Sequence, residues 1–434
     1  MELWTATPDH LIDAMRSRSI RRAFIVTSAD GRPEASHALF EPVTERLAAD
    51  RRDFRGHEGL FLEIGARSDH LLGAFLHQTI RGQGAGGVRF WQYGTVEHYL
   101  RDGLRLSRGM GHKCALAGLW WGGGKGVIAR RAGRDHLDPA IREAVYTDYG
   151  DFVSSLRGCY VTAEDVGTTP EDMARVFSRT RHTTCIPQAF GGSGNPSELT
   201  AKGVVVAMEA ALEHLGRGGL AGKTVALQGL GQVSRFMIGD LLARGVARIV
   251  GVDVDSRAVE AARSQYPDVS LEVGQCEPDD HAILARPCDV LAPNAVGATL
   301  NPRTIPTIEA AVVCGGANNQ LEHAPRDGAL LRDRGVLYVP DFLANRMGIV
   351  NCANEPVGIL PEDPAVLSHL DREQPHGIYQ RALEIFARAE QSGRTTADEA
   401  ERRADELALE PHPIWGHRGR VIIDSLVRTG WAEG

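Results

Sequence analysis

Lysine is almost missing from this chain: four residues out of 434, against forty-four arginines. Arginine does not lose its proton in a protein, whereas a buried lysine can have its pKa lowered enough to act as a base, so each retained lysine invites a reason. Cysteine gives no framework either. The seven cysteines are odd in number and none falls in C-x-x-C spacing, so neither a disulfide scaffold nor a cysteine zinc site is suggested and no metal is expected. No run approaches eighteen apolar residues and the start, MELWTATPDHLIDAMRSRS, lacks an apolar signal-peptide core, so neither a transmembrane helix nor a secretory leader is expected. A basic surplus is also absent. The net charge of −8 argues against a nucleic-acid partner, and the densest arginine cluster, RSRSIRR, reads as a solvated helix face. A cytoplasmic globular protein, with neither nucleic acid nor membrane as partner, is the expectation.

Two of the four lysines, Lys113 and Lys125, lie twelve residues apart in GMGHKCALAGLWWGGGKGV. Lys202 and Lys223 read as ordinary surface charges, so chance competes with chemistry as the reason for the pair. The glycines at 122, 123 and 124 tilt the balance toward a site, because they allow backbone or ligand to approach Lys125 closely.

A length of 434 residues favours two domains. Residues 1–53 are polar and uneven, with short apolar runs such as AFIVTS, and read as an N-terminal extension. From Leu60, strand-like stretches follow in GLFLEIGA and LLGAFLHQTI, then the glycine-rich RGQGAGGVRF. Val96, Tyr99, Leu100, Leu104 and Leu106 recur at helical spacing over 95–110, a helix that would deliver Lys113 to its end. GGGK then reads as a turn and GVIA as a buried strand. DPAIREAVYTDYGDFVSSL reads as an acidic helix and YVTA as a strand running into Glu164 and Asp165. TTPEDMARV opens another helix with Thr168 or Thr169 as N-cap and Pro170 early. The loop FGGSGNPSELT marks a boundary, giving a first domain over 54–196 and a second over 197–354.

The second half alternates KTVALQGL, a helix, ARIVGVDVD, a helix, CDVLAPNA, AAVVCGGAN and GVLYVPDFLA, the pattern of a parallel sheet covered by helices. Residues 355–434 are charged and helical and are expected to return to the first domain. No internal repeats are present.

TVALQGLGQVSRFMIGDLL sets Gly229 and Gly231 directly after a strand and at the start of a helix, with Ser234 as the third small residue. One glycine makes the tight turn and the next admits a pyrophosphate to the free amides and dipole of the helix N-terminus, close to Gln232 and Val233. A bare G-x-G-x-x-S is weak, but Asp253 ends the next strand about twenty residues on, where a carboxylate can accept from ribose hydroxyls and disfavours a 2′-phosphate. Asp255 competes for that role, and Arg257 keeps NADP open beside the preferred NAD.

With these residues in view, the chain resembles the glutamate/leucine/phenylalanine/valine dehydrogenase family, nearest its leucine and phenylalanine branch. The matching stretches are GAGGVRF, LRLSRGMGHKCALAGLWWGGGKGVI, YVTAEDVGTT, GNPSELTAKGV, GLGQVS, LAPNAVGATLN, GANNQL and part of DFLANRMGIVN, in the family's order over about 60–351. The resemblance implies an α/β fold, with an N-terminal α/β substrate domain, a Rossmann-type doubly wound parallel-sheet NAD domain and a cleft between them. It implies Lys125 as general base and Asp165 as proton partner of the substrate nitrogen. Lys113 would meet the substrate α-carboxylate with Asn319, Gly86 and Gly87. Thr200 and Asn318 would hold the nicotinamide amide, with Asn294 and Ala295 near its ribose. Ala85, Gly86, Ala163, Ile349 and Cys352 would line the side-chain pocket. None is charged, so a second substrate carboxylate would be costly to bury and glutamate is disfavoured. The implied reaction is NAD-dependent, reversible oxidative deamination of a hydrophobic L-amino acid to a 2-oxo acid and ammonia, in a homo-oligomer. Plainer readings remain: a helix-end charge for Asp165 or Lys113, and turn residues for Asn318 and Asn319.

The pattern breaks in places. Asn345-Arg346-Met347-Gly348 stands where the family has asparagine, alanine, glycine, glycine, so Arg346 either turns to solvent or reshapes the pocket. Trp120 and Trp121 replace a smaller polar pair before GGGK and read as core or subunit-contact residues, with an aromatic wall for the substrate as the competing reading. Two further readings compete with the first. One is a biosynthetic relative acting on an aromatic or unusual amino acid; the other is a cofactor-binding protein without turnover.

Overall fold

The computed structural model describes residues 2–267 and 270–434. The chain divides into two compact units, one of Met1–Gly194, Cys352–Ile359 and Asp405–Gly434, the other of Asn195–Asn351 and Leu360–Ala404.

The first unit is built on an eight-stranded sheet: β1 (Arg22–Thr27), β2 (Pro33–Ala35), β3 (His57–Ile64), β4 (Leu71–His77), β5 (Gly84–Ala85), β6 (Val88–Trp91), β7 (Gly122–Ala129) and β8 (Tyr160–Val161). The strands run in the order β2-β1-β3-β4-β7-β5-β8, with β6 also paired to β7. Pairing is antiparallel from β2 to β7 and parallel among β5, β6, β7 and β8. Every residue of β3, β4 and β7 is buried, as expected when both faces of a sheet are covered.

Successive side chains of a strand point to opposite faces, and β3 shows the division. Leu60, Leu62 and Ile64 join Leu11, Ile12, Val43, Leu47, Val96, Tyr99 and Leu100 on one face. These last come from α1 (Pro8–Arg16), α2 (Glu41–Ala49) and α3 (Val96–Leu116). Phe61 joins Val145, Tyr149, Phe152, Ile423 and Trp431 on the other, carried by α4 (Pro139–Ser155), by the helix Arg418–Arg428 and by the chain end. Residues 1–53 are thus part of this unit's core rather than an appendage. The short run AFIVT becomes β1, with Ile25 opposite Leu60. α5 (Pro170–Phe177) starts with a capping box in which Thr169 and Asp172 each accept from the other's amide.

Two expectations change. α3 runs to Leu116 rather than stopping near residue 110, with Lys113 in its last turn, at the helix end as expected. GGGK is not a turn but the first half of β7. A Cβ at Gly123 would lie 2.3 Å from the Ser107 carbonyl oxygen and 2.8 Å from that of His77. The missing side chains let α3 and β4 close on β7.

The second unit carries six parallel strands: β9 (Thr224–Gln228), β10 (Arg248–Asp253), β11 (Leu271–Gln275), β12 (Val290–Pro293), β13 (Val312–Val313) and β14 (Leu337–Tyr338). Their order is β11-β10-β9-β12-β13-β14, the doubly wound arrangement that reverses direction beside its first strand. α6 (Ser197–His214), α7 (Gln232–Ala243), α8 (Ser256–Gln265) and α9 (Ala324–Asp333) accompany it.

The C-terminal stretch departs from the expectation of a wholesale return to the first domain. Leu360–Ala404 belongs to the second unit. There the helix Ile378–Ser392 buries Ile378, Ala382, Ile385 and Phe386, with the Phe386 ring 5.1 Å from that of His214 on α6. An amphipathic stripe shows that a helix needs a partner, not which one.

The close packing at β7 predicts opposite effects for two glycines. Gly123→Ala should destabilise the protein by about 1–3 kcal/mol through overpacking against backbone. Gly109→Ala, in α3 with nothing within 4 Å of the added methyl, should stabilise by about 0.5–1 kcal/mol. Denaturant unfolding of the two variants beside the parent measures both.

Candidate active site

β7 carries Lys125 into the interior of the first unit at 2% exposure. Its ammonium donates to the Asp165 carboxylate, and the Arg89 guanidinium on β6 stands 3.5 Å from the other carboxylate oxygen. Arg89 in turn donates to Asp102 on α3 at 3.0 Å, and the Tyr93 hydroxyl donates to the same carboxylate at 2.6 Å. The chain of charges runs from sheet to helix.

Local structure fixes Asp165. The chain beyond β8 stays bonded to the neighbouring strands, the Val88 amide donating to the Ala163 carbonyl at 2.8 Å. The Asp165 amide then donates to the Thr168 hydroxyl at 2.8 Å, and the Val166 amide donates to the Asp165 carboxylate at 2.6 Å. TAEDVGT is therefore one self-bonded turn holding a carboxylate beside the lysine.

The electrostatics follow from burial and pairing. Burial pulls the Lys125 ammonium below the ordinary lysine pKa, opposed by the Asp165 charge and reinforced by Arg89. Burial alone would raise the Asp165 carboxyl, but Lys125 and Arg89 together hold it down at about 2. Glu164, next in sequence, is pushed up to about 7, first by burial and then by Glu171, Asp165 and Asp172. A buried amine with a lowered pKa, bonded to an ionised carboxylate, gives up and takes back a proton more readily than an exposed lysine does.

Gly86 and Gly87 lie against this pair. A Cβ at Gly86 would lie 1.9 Å from the Gly124 carbonyl oxygen, and one at Gly87 would lie 2.3 Å from that of Glu164. The Gly86 amide already donates to the Val161 carbonyl at 3.1 Å. Lys113, half-buried, stands on α3, whose Gly111 amide would lie 2.9 Å from a Cβ at Gly123. Ala85 sits opposite Gly123 and Val161 in the sheet, and Ala163 packs with Cys185 and Cys352. Trp120 is 39% exposed, with the Arg81 guanidinium 4.5 Å above its ring and His412 at 5.4 Å, so it is not a core residue.

In the second unit, Gly229 closes the turn after β9 with φ +95°, where a Cβ would meet Ala295 at 2.9 Å. Gly231 is the N-cap of α7 and supplies no side-chain cap, so Gln232 and Val233 open the helix with their amides uncommitted to a side chain. Ser234 donates to the Gly229 carbonyl at 2.6 Å. The Asp253 carboxylate, ending β10, accepts from the Leu230 amide at 2.7 Å and the Asp255 amide at 2.8 Å. Asp255 instead caps α8 and is bridged by Arg257 at 3.0 and 3.1 Å. The glycine turn, bare helix start and strand-end acid fit a dinucleotide.

Asn294 links this turn to the next loop, donating to Ser234 at 2.9 Å and accepting from the Gly316 amide at 2.6 Å. Asn318 accepts from Asn345 at 2.8 Å, and Asn319 adopts φ +53°. The Thr200 hydroxyl donates to the Pro196 carbonyl at 2.9 Å and would lie 3.3 Å from a Cβ at Gly348. Ile349 is buried. Arg346 does not reach solvent: it is fully buried and donates to the His376 carbonyl. Burial, then the nearby Arg381 charge, pulls its pKa down to about 9. Met347, also buried, reaches within 2.8 Å of a Cβ at Gly203 on α6.

The sequence reading missed Arg89, Asp102 and Glu164. Arg89 and Glu164 lie inside the motifs GGVRF and TAEDVGT, whereas no motif marks Asp102.

Comparison with known proteins gives the same answer along most of the chain. Residues 74–182 match the model of the Glu/Leu/Phe/Val dehydrogenase dimerisation domain, and 191–401 match that of glutamate/leucine/phenylalanine/valine dehydrogenase. Leucine dehydrogenase of Thermoactinomyces intermedius is 38% identical over 338 residues, 76% of this chain and 85% of that protein. Valine dehydrogenase of Streptomyces coelicolor is 37% identical over 392 residues, 89% of this chain and all of that protein. The crystal structure of L-tryptophan dehydrogenase from Nostoc punctiforme superposes with a TM-score of 0.66 at 32% identity, covering 81% of this chain and 96% of that one. The chain belongs to the glutamate/leucine/phenylalanine/valine dehydrogenase family of amino-acid oxidoreductases, on its leucine/phenylalanine/valine side.

Proposed function

We propose that this enzyme catalyses the reversible, NAD-dependent oxidative deamination of a hydrophobic L-amino acid to its 2-oxo acid and ammonia. The observation that carries the reading is the buried Lys125 ammonium bonded to Asp165. NAD, when bound, accepts the hydride leaving the substrate α-carbon. Lys113 pairs with the substrate α-carboxylate, joined by Asn319 and by the close backbone approach that Gly86 and Gly87 allow. Asp165 takes a proton from the substrate nitrogen and returns it. Lys125, deprotonated, removes a proton from the water that adds to the iminium carbon, and ammonia departs as the carbonyl forms. Arg89 helps hold Asp165 ionised.

The second unit would supply the cofactor cradle. Pyrophosphate fits the α7 start at Gly229, Gly231, Gln232 and Val233, and Asp253 accepts from the adenosine ribose. Arg257 is engaged by Asp255, which favours NAD over NADP. Asn294 and Ala295 lie by the nicotinamide ribose, and Thr200 and Asn318 meet its amide. The side-chain contacts Ala85, Gly86 and Ala163 in the first unit and Ile349 in the second carry no charge, nor does Cys352 while it keeps its thiol proton. That supports an apolar substrate, as do the leucine, valine and phenylalanine dehydrogenase relatives. An aromatic substrate is the second reading, favoured by the small Ala85 and by the likeness to a tryptophan dehydrogenase. Retention of the lysine–aspartate contact speaks against a binding protein without turnover. The match to a dimerisation-domain model supports a homo-oligomer.

Four outcomes test the reading. Lys125→Arg keeps the charge but cannot shed it, so NADH binding followed by fluorescence should persist while turnover falls roughly 10²–10⁴-fold; full activity in this variant overturns the role of Lys125. With the parent enzyme, the deamination rate should rise with pH along a limb lying below the ordinary lysine pKa of 10.5, since the amine must be neutral to act. In a panel of L-amino acids followed by NADH absorbance, leucine, valine or an aromatic acid should far exceed glutamate. Asp253→Ser should lower kcat/KM with NAD about tenfold and narrow the gap to NADP.

A further inference from the structure

Cys185, Cys352 and Glu355 come together in the first unit although 167 residues separate the two cysteines. The thiol sulfurs are 2.7 Å apart, and both residues are buried. One carboxylate oxygen of Glu355 accepts from the Cys185 amide at 2.7 Å and the Ser193 amide at 2.8 Å, and also from the Ser193 hydroxyl. The second carboxylate oxygen is buried with no hydrogen-bond partner. Ser193 stands 3.9 Å from the Cys352 sulfur. One ligand atom from each of the three residues lies within 4.8 Å of the others. Cys185 itself is held at φ +58°, a left-handed conformation that costs a side-chain-bearing residue energy and persists where the surroundings impose it.

We infer that Cys185, Cys352 and Glu355 form a binding site for a thiophilic divalent cation, Zn²⁺ by preference, with Ser193 or a water as fourth ligand. Two thiolates, a carboxylate and one oxygen make a donor set that tetrahedral zinc accepts. Zinc–sulfur bonds of about 2.3 Å set sulfurs roughly 3.8 Å apart, so the thiols need only separate by roughly 1 Å. Each sulfur gives its proton to solvent as it binds, and no electrons change hands. A disulfide accounts for less. It would satisfy the sulfurs but leave the buried Glu355 oxygen without a partner beside an apolar bond, whereas a cation satisfies all three groups. The Glu355 carboxylate is already aimed by two amides and a hydroxyl, the outer-shell support that ligating carboxylates have in metal sites.

The full-length protein, loaded with zinc under reducing conditions and desalted, should hold one zinc per chain by mass spectrometry. Cobalt in its place should show thiolate-to-cobalt absorption. Cys185→Ser and Cys352→Ser should each abolish both signals, while Cys276→Ser should keep them. Glu355→Gln, which leaves the sulfurs in place, should weaken zinc binding at least tenfold. Zinc should raise the Tm of the parent and not of Cys352→Ser. Substoichiometric zinc in the parent, or unchanged binding in the Cys352→Ser and Glu355→Gln proteins, overturns the proposal. So does a parent that refuses zinc because peptide mapping finds Cys185 and Cys352 joined as a disulfide.

Discussion

An ammonium with 2% exposure inside a sheet depends on the carboxylate beside it. Removing such a cation from water costs several kcal/mol, and attraction to one anion offsets this only when the geometry is tight. Here the Asp165 carboxylate is pinned by its own turn, and the Lys125 stem by a strand paired on both sides. The pair is also not closed. Arg89 brings a second positive charge to Asp165, and Asp102 and Tyr93 hold Arg89 in turn. With two cations facing one anion, the lysine proton is the one the site can most readily lose, because arginine holds its own too strongly.

The same requirement explains the glycines. A side chain at Gly123 or Gly86 would collide with backbone rather than with a movable side chain, so α3, β4, β5 and β7 could not close around the lysine stem. Close packing keeps water from the stem and puts Lys113 on the helix that lies along the same strand. Burial of Lys125 and the compactness of β7 are therefore one constraint seen from two sides.

Much of this was legible in the chain. Alternating apolar strands, the glycine turn before α7, the acid ending β10 and the Thr169 cap of α5 are local chemistry, and local chemistry is written in local sequence. What was not legible depends on distant partners. GGGK read as a turn because glycine signals turns by default, and nothing nearby reports that Ser107 and His77 press against Gly123. The run AFIVT became a strand only because Leu60 and its neighbours offered an edge. Arg346 read as either turned to solvent or reshaping the pocket, and nothing local reports that it is buried against the His376 carbonyl thirty residues on. Cys185 and Cys352 carried no spacing signal because 167 residues part them.

The scarcity of lysine gains a physical reading from this arrangement. Arginine makes broad, bidentate, permanently charged contacts, and it does so throughout this protein, from the Asp53 cluster to the Asp172 cap. Those contacts want a charge that never leaves. Position 125 wants the reverse: a slim stem that fits among glycines and a head group that burial can discharge. An arginine there would be wider, would compete with Arg89 for Asp165, and would stay protonated. A composition otherwise given over to arginine thus keeps, at position 125, an interior cation whose proton burial loosens.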